Sequence, residues 1–325
     1  MTRAILTATF TALLAAAPGA VHAQEEGPVP TQVLISVESK SGFTPTTSDI
    51  TAQVNGKTTP VTSITPLPPN SVQVALLIDE GLRSSFGVQL QDIKQWILGL
   101  RPGTEVFVGY MQNGRVVPVQ NFTTNYAEAA GNVRLPMSFQ GANGSPYFSL
   151  SDFVKSWPGG SEPGSPNQPA PPPSNQRRAR FVLMITNGVD RYNGSVSPLN
   201  QNSPYVSNSA NDAQLAGIPV YSIYYSDRDA RGRLASFSGQ SYLNQVAEAT
   251  GGQSLYQGSF NPVSLQPFFK QFDQAVQNTY VVTVDAVAHK KDTLARLKLS
   301  ANQKGVKIHA PTTIHPGTQQ VSSGA

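Results

Sequence analysis

The sequence contains no cysteine, so neither a disulfide bond nor a thiolate nucleophile or metal ligand is available to it. Histidine is scarce, at four residues, and charged residues make up only 13% of the chain. The formal net charge of +4 over 325 residues is small and does not indicate a nucleic acid or an anionic membrane as a partner. We therefore expect a fold that depends on its hydrophobic core, for which 39% apolar residues are sufficient.

The first 23 residues have the pattern of a secretory signal peptide. Arg3 supplies the positive charge, residues 4–17 form an apolar run, and Val21, His22 and Ala23 form a small-residue cleavage pattern. The run is short and rich in Ala and Thr, which favours cleavage and no stable transmembrane segment afterwards. We predict an exported protein, periplasmic or extracellular, without the cysteine that a lipoprotein anchor requires.

The stretch VQVALLID, residues 72–79, predicts the central element of the fold. It is apolar along almost its whole length and rich in Val, Leu and Ile, which is typical of a strand buried on both faces of a sheet. It ends on Asp79. In open α/β sheets ligands bind at the carboxyl ends of the strands, so Asp79 is predicted to lie at the rim of any site.

Strands and helices alternate after this stretch. Helices are predicted at residues 84–100, 126–133, 146–157, 209–216, 242–250 and 262–277, and strands at 105–111, 115–122, 181–186 and 217–224. This alternation predicts an α/β fold whose mainly parallel, Rossmann-like central sheet is flanked by helices.

Shorter β-segments lie on either side of this region. They are predicted at residues 32–38, 50–54, 58–64, 294–300 and 305–309, and whether the two groups pair with each other stays open. Asn-Gly pairs at 55–56 and 113–114 predict hairpin turns. The predicted organisation is a signal peptide (1–23), an N-terminal β lead-in (24–70), an α/β domain (71–278) with a Pro-rich insertion (158–175), a C-terminal β-extension (279–317) and a polar tail (318–325).

Five stretches resemble the von Willebrand factor type A (VWFA) domain, and most of all the secreted bacterial VWFA-related domains described from Acidobacteria. They are VALLIDEGLRSS, the turn Gly144-Ser145-Pro146-Tyr147, VLMITNGVDRY, AGIPVYSIYY and VAEATGGQSLY. The resemblance covers about residues 32–290. It implies the α/β fold and a binding edge made by the loops at the carboxyl ends of the strands.

In that family the edge carries a metal-ion-dependent adhesion site with the pattern D-x-S-x-S in a first loop, a Thr in a second and an Asp in a third. Matched position by position, Asp79 keeps the first Asp, while Gly81 and Arg83 replace the two serines. Ser145 stands for the Thr, and Asn187 replaces the third-loop Asp. The resemblance therefore implies a degenerate metal site of Asp79, Ser145 and Asn187.

Two readings of this degenerate site remain open. Mg²⁺ requires an octahedron of oxygen ligands, and the positive charge of Arg83 opposes a dication, so we predict no cofactor and no tight metal binding. Arg83 then either pairs with Asp79 or points to solvent. In the alternative, Ser84 or Ser85 and Asp190 complete a rearranged Mg²⁺ site.

Catalytic signatures are lacking. After signal cleavage the histidines are His289, His309 and His315, all close to the C-terminus, and no G-x-S-x-G motif is present. Gly56-Lys57-Thr58 resembles the end of a phosphate-binding loop, but Thr51 stands where the first glycine is required. We predict no catalytic residues and no enzyme, with a hydrolase as the weakest alternative.

The prediction for function is an exported protein-binding or adhesion module with an unidentified protein partner and no nucleic acid. The expected partner-binding residues are Asp79, Arg83, Ser145, Asn187 and Asp190. The alternatives are a structural or assembly role in an envelope complex through the β-extensions, and metal-dependent adhesion through the rearranged site.

Overall fold

The computed structural model describes residues 27–40, 42–137, 144–159, 177–190, 203–225, 232–258, 261–287 and 293–322. The strands are β1 (Val29–Ser39), β2 (Ile50–Val54), β3 (Lys57–Thr59), β4 (Val61–Pro66), β5 (Val72–Asp79), β6 (Glu105–Gln112), β7 (Arg115–Thr123), β8 (Ala179–Thr186), β9 (Val220–Tyr224), β10 (Ser254–Leu255), β11 (Thr279–Ala286), β12 (Ala295–Ala301), β13 (Val306–His309) and β14 (Thr313–Ile314). The α-helices are α1 (Leu90–Leu98), α2 (Tyr126–Gly131), α3 (Pro146–Lys155), α4 (Pro204–Ala216), α5 (Gly232–Thr250) and α6 (Gln266–Gln277).

A six-stranded sheet with the order β10-β9-β8-β5-β6-β7 forms the centre of the molecule, and all of its strands are parallel except β7. Every residue of β5 except Gln73 is buried. The strand is covered on both faces, since alternate residues of β5 enter different cores. Val74, Leu76 and Ile78 pack with residues of α1 and α6, and Ala75 and Leu77 pack with α3, α4 and α5. The predicted α/β fold and its mainly parallel, helix-flanked sheet are confirmed.

The β-segments at the two ends of the chain form two further four-stranded sheets. Their strand orders are β13-β1-β11-β4 and β14-β12-β2-β3. β1 pairs antiparallel with β11 over eight residues, from Val29 opposite Ala286 to Ser36 opposite Thr279. Both sheets contribute to one apolar core, which includes Ile35 and Leu297. The N-terminal and C-terminal β-segments, whose pairing the sequence left open, therefore build a common two-sheet unit.

Proline and glycine account for two differences from the predicted elements. The strand predicted at 58–64 divides into β3 and β4 at Pro60, whose missing N–H cannot continue a ladder, and the two parts join different sheets. The helix predicted at 84–100 begins as a 3-10 helix at Ser84–Gln89 and becomes α-helical only in α1. Gly87 lies in that first segment and lowers its α-helical propensity.

Helix α4 is longer than the predicted helix at 209–216 because its start is capped within the polar stretch before it. Ser203 Oγ accepts a hydrogen bond from the backbone N–H of Tyr205, and Pro204 occupies the first helical position. α5 also extends further towards the N-terminus than predicted.

The final described segment connects the two-sheet unit with the α/β unit. Gln32 Oε1 accepts hydrogen bonds from the backbone N–H groups of Gln320 (2.7 Å) and Val321 (3.1 Å), and Gln320 Nε2 donates to the carbonyl of Gly217 (3.0 Å). The segment predicted as a polar tail is thus bound as far as residue 322. The predicted signal peptide, most of the Pro-rich insertion and His289 lie outside the described residues.

Candidate functional site

The carboxyl end of β5 meets that of β8 in a network of hydrogen bonds around Asp79. The parallel register pairs Ile78 with Ile185, so Thr186 lies beside Asp79. Thr186 Oγ1 donates to Asp79 Oδ2 (2.6 Å) and accepts from the backbone N–H of Gly188 (3.1 Å), while the N–H of Gly81 donates to Asp79 Oδ1 (2.9 Å). Asp79 is 8% exposed. Its carboxylate therefore holds two loops together at the predicted rim.

Asn187 and Asp190, the predicted site residues in the third loop, which follows β8, are also held by contacts within the protein. Asn187 Oδ1 accepts from the backbone N–H of Val189 (2.9 Å), so its amide oxygen closes its own turn. Asp190 is 3% exposed and accepts a hydrogen bond from Ser203 Oγ at 2.5 Å. Because Ser203 caps α4, Asp190 positions the start of that helix.

The first turn of α3 approaches the same place through Tyr147. Its hydroxyl donates to the carbonyl of Gly188 at 2.7 Å. Burial, and then proximity to Asp190, Tyr242 and Asp79, raises the pKa of Tyr147 well above its usual value, so the hydroxyl stays a donor. Ser145 is buried, and its Oγ has no hydrogen-bond partner among the described residues. Of the predicted site residues, Ser145 thus keeps a buried hydroxyl that no described residue satisfies.

Arg83 lies at the outer side of this edge. It precedes the 3-10 helix as its N-cap residue and its side chain is exposed. The structure thus brings Asp79 and Asn187 into adjoining loops, with Ser145 close by and Arg83 on the surface. The pairing of Arg83 with Asp79 stays a prediction.

A buried ion pair beside Asp79 was missed by the sequence analysis. Glu80 is 1% exposed and binds the guanidinium of Arg134 through two contacts, Oε1 to Nη1 at 2.9 Å and Oε2 to Nη2 at 3.0 Å. The Arg134 guanidinium also lies 3.9 Å from the ring centroid of Tyr110, and Glu80 accepts from the backbone N–H of Met137 at 2.6 Å. These contacts fix residues 134–137 against the sheet edge.

Two exposed apolar side chains belong to this fixed segment, and a third lies beside it. Met137 is 56% exposed and Leu135 is 40% exposed, although both belong to the segment that Glu80 and Arg134 hold in place. A methyl group at Gly87 would lie 3.2 Å from Leu135 Cδ1, so Leu135 packs on the 3-10 helix next to Val88, which is 75% exposed. We call Val88, Leu135 and Met137 the apolar rim.

Helix α5 supports the third loop through two glycines in close contact. Gly188 has a φ of +65°, and a Cβ there would lie 2.5 Å from the carbonyl oxygen of Gly239. A Cβ at Gly239 would lie 2.1 Å from the carbonyl oxygen of Asn187. No side chain larger than hydrogen fits between the loop and the helix, so this contact fixes the position of Asn187.

These contacts do not fit the divalent cation that the family resemblance implies. Mg²⁺ requires several available oxygen ligands in an octahedron. Both carboxylate oxygens of Asp79 and the amide oxygen of Asn187 already accept hydrogen bonds, and Gly81 offers no side-chain oxygen. Within the described ranges, no group of three or more His, Cys, Asp or Glu side chains is placed to hold a metal.

The described histidines lie away from this edge. His309 belongs to β13 of the two-sheet unit, where its Nε2 is 3.3 Å from Glu38 Oε2. Burial lowers the pKa of His309 below its usual value. Neither His309 nor His315 is close in the fold to the serines at the strand ends. Among the described helices, none combines the length and apolar character needed to span a membrane.

The sequence matches no protein-family model, and no curated protein matches it. Similar solved structures include a von Willebrand factor type A protein from Catenulispora acidiphila, at 10% identity and a TM-score of 0.42 over 90% of this chain and 75% of that chain. The SpRpn10 VWA domain is 9% identical, with a TM-score of 0.36 over 62% of this chain and 94% of that one. The manganese-loaded TRAP protein of Plasmodium vivax is 10% identical, with a TM-score of 0.39 over 76% and 95%.

The architecture agrees with what the sequence motifs imply. The motif VALLIDEGLRSS forms the central strand and the loop after it, VLMITNGVDRY begins in the adjacent strand β8, and AGIPVYSIYY contains β9. Helices cover both faces of the sheet, and the three strand ends face one edge. The α/β unit of this chain thus has the helix-flanked, mainly parallel sheet that the resemblance to the von Willebrand factor type A domain implies.

Proposed function

We propose that the protein is an exported, non-enzymatic protein-binding module whose carboxyl sheet edge docks its partner without a tightly bound divalent cation. The observation that carries this proposal is the apolar rim. Its side chains are exposed, yet the segment that carries Leu135 and Met137 is held by the ion pair of Arg134 with the buried Glu80, by a cation–π contact and by a backbone hydrogen bond to Glu80. Exposed apolar groups on a rigid support are typical of protein-docking surfaces, because little conformational entropy is lost on binding.

The polar part of the edge supports the same function. Asp79, Asn187 and Asp190 use their oxygen atoms to fix the loops, so their role in the proposal is to shape the surface. Arg83, whose side chain is exposed, supplies a polar contact at this edge, whereas the hydroxyl of Ser145 is buried beneath the surface. A partner that covers the edge would therefore combine apolar side chains with a hydrogen-bond acceptor for the Arg83 guanidinium.

The proposed export rests on the N-terminal motif alone, and the proposed absence of catalysis rests on the missing sequence signatures. Cleavage after Ala23 is checked by mass spectrometry of the protein recovered from the periplasmic and extracellular fractions of the producing cells. A mature mass that begins at Gln24 supports export. An unprocessed chain in the cytoplasm contradicts it.

The docking edge is tested by capture of proteins from an extract of the producing cells on immobilised residues 24–325 in buffer with EDTA. The edge variant is Val88→Ser with Met137→Ser. The matched control is Leu98→Ser with Leu215→Ser, which changes two exposed apolar residues near the ends of α1 and α4, at the opposite end of the sheet. We expect the edge variant to lose a specific partner that the wild type and the control both retain.

The alternative assembly role predicts a different outcome of the same experiment. Lys298→Glu with Lys307→Glu changes two exposed residues of the two-sheet unit. Loss of capture in this variant, with full capture by the edge variant, would contradict docking at the sheet edge and support assembly through the β-segments.

A further inference from the structure

A small cavity lies at the amino end of the central sheet, opposite to the docking edge, between β5, α6 and the loop that joins α1 to β6. Its volume is about 50 Å³, and one water needs roughly 10–15 Å³ of such space, so the cavity can hold a small organic group. The exposed Gln277 lines it, so it opens to solvent. Its apolar walls are buried side chains of the core, namely Val72, Val74, Leu100, Phe272 and Val276.

Asp273 brings a carboxylate to this cavity from α6. Its Oδ1 accepts a hydrogen bond from Trp96 Nε1 at 3.0 Å, and the Trp96 ring stacks on Phe269 with 4.7 Å between the ring centroids. Partial burial raises the pKa of Asp273, although the Trp96 hydrogen bond and the nearby charge of Arg101 act in the opposite direction. The carboxylate is therefore held in one orientation and only partly compensated, which favours a cationic donor as a further partner.

Two helices end at the same cavity. α1 ends at Leu98 and α6 ends at Gln277, and the cavity is lined by residues 99–101 after the first helix and by residues 276–277 of the second. The carbonyl ends of helices carry partial negative charge, which adds to the charge of Asp273. This part of the cavity therefore attracts an ammonium group.

Arg101 supplies the opposite charge. It is half-buried in the loop after α1 and lines the cavity together with Thr104, whose hydroxyl can donate or accept a hydrogen bond. The charge of Arg101 acts on Asp273, yet these two described residues form no direct ion pair. The cavity thus presents a carboxylate and a guanidinium from different elements, with space for a ligand between them.

We infer that this cavity binds the zwitterionic head group of a free α-amino acid, in which one carbon carries an ammonium and a carboxylate. The ammonium binds the Asp273 carboxylate and faces the two helix ends, and the ligand carboxylate binds the Arg101 guanidinium. A ligand with both charges matches this pair, whereas Arg101 repels a simple cation and Asp273 repels a simple anion. The inference does not depend on the proposed docking function, because the cavity lies at the opposite end of the sheet.

The test is a titration of glycine into the isotope-labelled mature chain at about pH 7, where glycine carries both charges, followed by NMR of the indole N–H groups. The chain has two tryptophans, and Trp157→Phe assigns their signals. We expect a saturable shift of the Trp96 signal, because its indole donates to Asp273. The Trp157 signal should stay in place, since its indole donates to Gln73 and its ring packs in the core on the other face of the sheet.

Two variants remove one charge each. Asp273→Asn keeps an acceptor for the Trp96 N–H, and Arg101→Gln keeps a polar side chain in the loop. Each is expected to weaken glycine binding about tenfold or more, because one charge-assisted contact is lost. Arg115→Gln changes an exposed arginine at the start of β7 and should bind glycine as the wild type does. An unchanged Trp157 signal shows that each variant is folded.

Methylammonium and acetate complete the experiment, because each carries only one of the two charges. Both are expected to bind at least about tenfold more weakly than glycine. Methylammonium or acetate that binds as tightly as glycine would overturn the inference. So would the lack of a saturable glycine-dependent shift of the Trp96 signal, or glycine binding that either Asp273→Asn or Arg101→Gln leaves unchanged.

Discussion

Arg134→Met is expected to lower the free energy of unfolding by about 3 kcal/mol, a large effect for a residue whose side chain is 31% exposed. The substitution keeps most of the apolar volume but removes the two hydrogen bonds that Arg134 donates to the Glu80 carboxylate, whose side chain is only 2% exposed, and leaves the Met137 N–H as its donor. An uncompensated buried carboxylate is costly. Urea denaturation followed by circular dichroism measures the change.

Two variants separate the ion pair from simple loss of packing. Glu80→Gln with Arg134→Met removes both charges, leaves a neutral acceptor for the Met137 N–H and is expected to recover much of the lost stability. Arg115→Met removes an exposed arginine and should change stability by less than about 0.5 kcal/mol. A stable Arg134→Met protein would show that the pair does not support the apolar rim.

Gly239→Ala is expected to destabilise the protein by about 2 kcal/mol, whereas the same change elsewhere in a helix is usually favourable. The new methyl group would lie 2.1 Å from the carbonyl oxygen of Asn187, so α5 or the site loop must move. Because that loop carries the Gly188 carbonyl that Tyr147 contacts, we also expect weaker partner capture at the docking edge.

Gly131→Ala supplies the matched control. Gly131 is the last residue of α2, and a Cβ at this position would have no neighbour within 4 Å in the described part of the chain outside its own helix. Alanine there is expected to raise the free energy of unfolding by a few tenths of a kcal/mol up to about 1 kcal/mol. Parallel thermal and urea denaturation of the wild type and the two glycine variants measures both changes in stability. Equal stability of the two variants would show that α5 does not fix the site loop.

The sequence predicted the hairpin turns and the buried central strand, because these elements depend on residues that are neighbours in the chain. Both Asn-Gly pairs adopt positive φ angles, with Asn113 at 50° and Gly114 at 77°, as the type I′ turn requires. The buried strand β5 was predicted from its composition. The pairing of β1 with β11 was not, because the two strands are about 250 residues apart and many antiparallel partners satisfy the same alternating pattern.

The candidate site was predictable only in part, and for a similar reason. Asp79 follows from the end of a buried strand, and Thr186 was within reach of the same reasoning, since a parallel register with β8 places it beside Asp79. Arg134 belongs to an irregular segment 54 residues after Glu80. No sequence spacing connects such residues, and the same holds for the contact between Gly188 and Gly239, which depends on how α5 packs.

The measurement that tests the central claim most directly is calorimetric titration of Mg²⁺, Mn²⁺ and Ca²⁺ into the EDTA-treated mature protein, with Asp79→Asn as the isosteric control. The side-chain oxygens of Asp79 and Asn187 already accept hydrogen bonds within the docking edge, so we predict no saturable heat for any of the three ions and no difference between the two proteins. Micromolar or tighter binding that Asp79→Asn abolishes would contradict a metal-free docking edge and establish metal-dependent binding in its place.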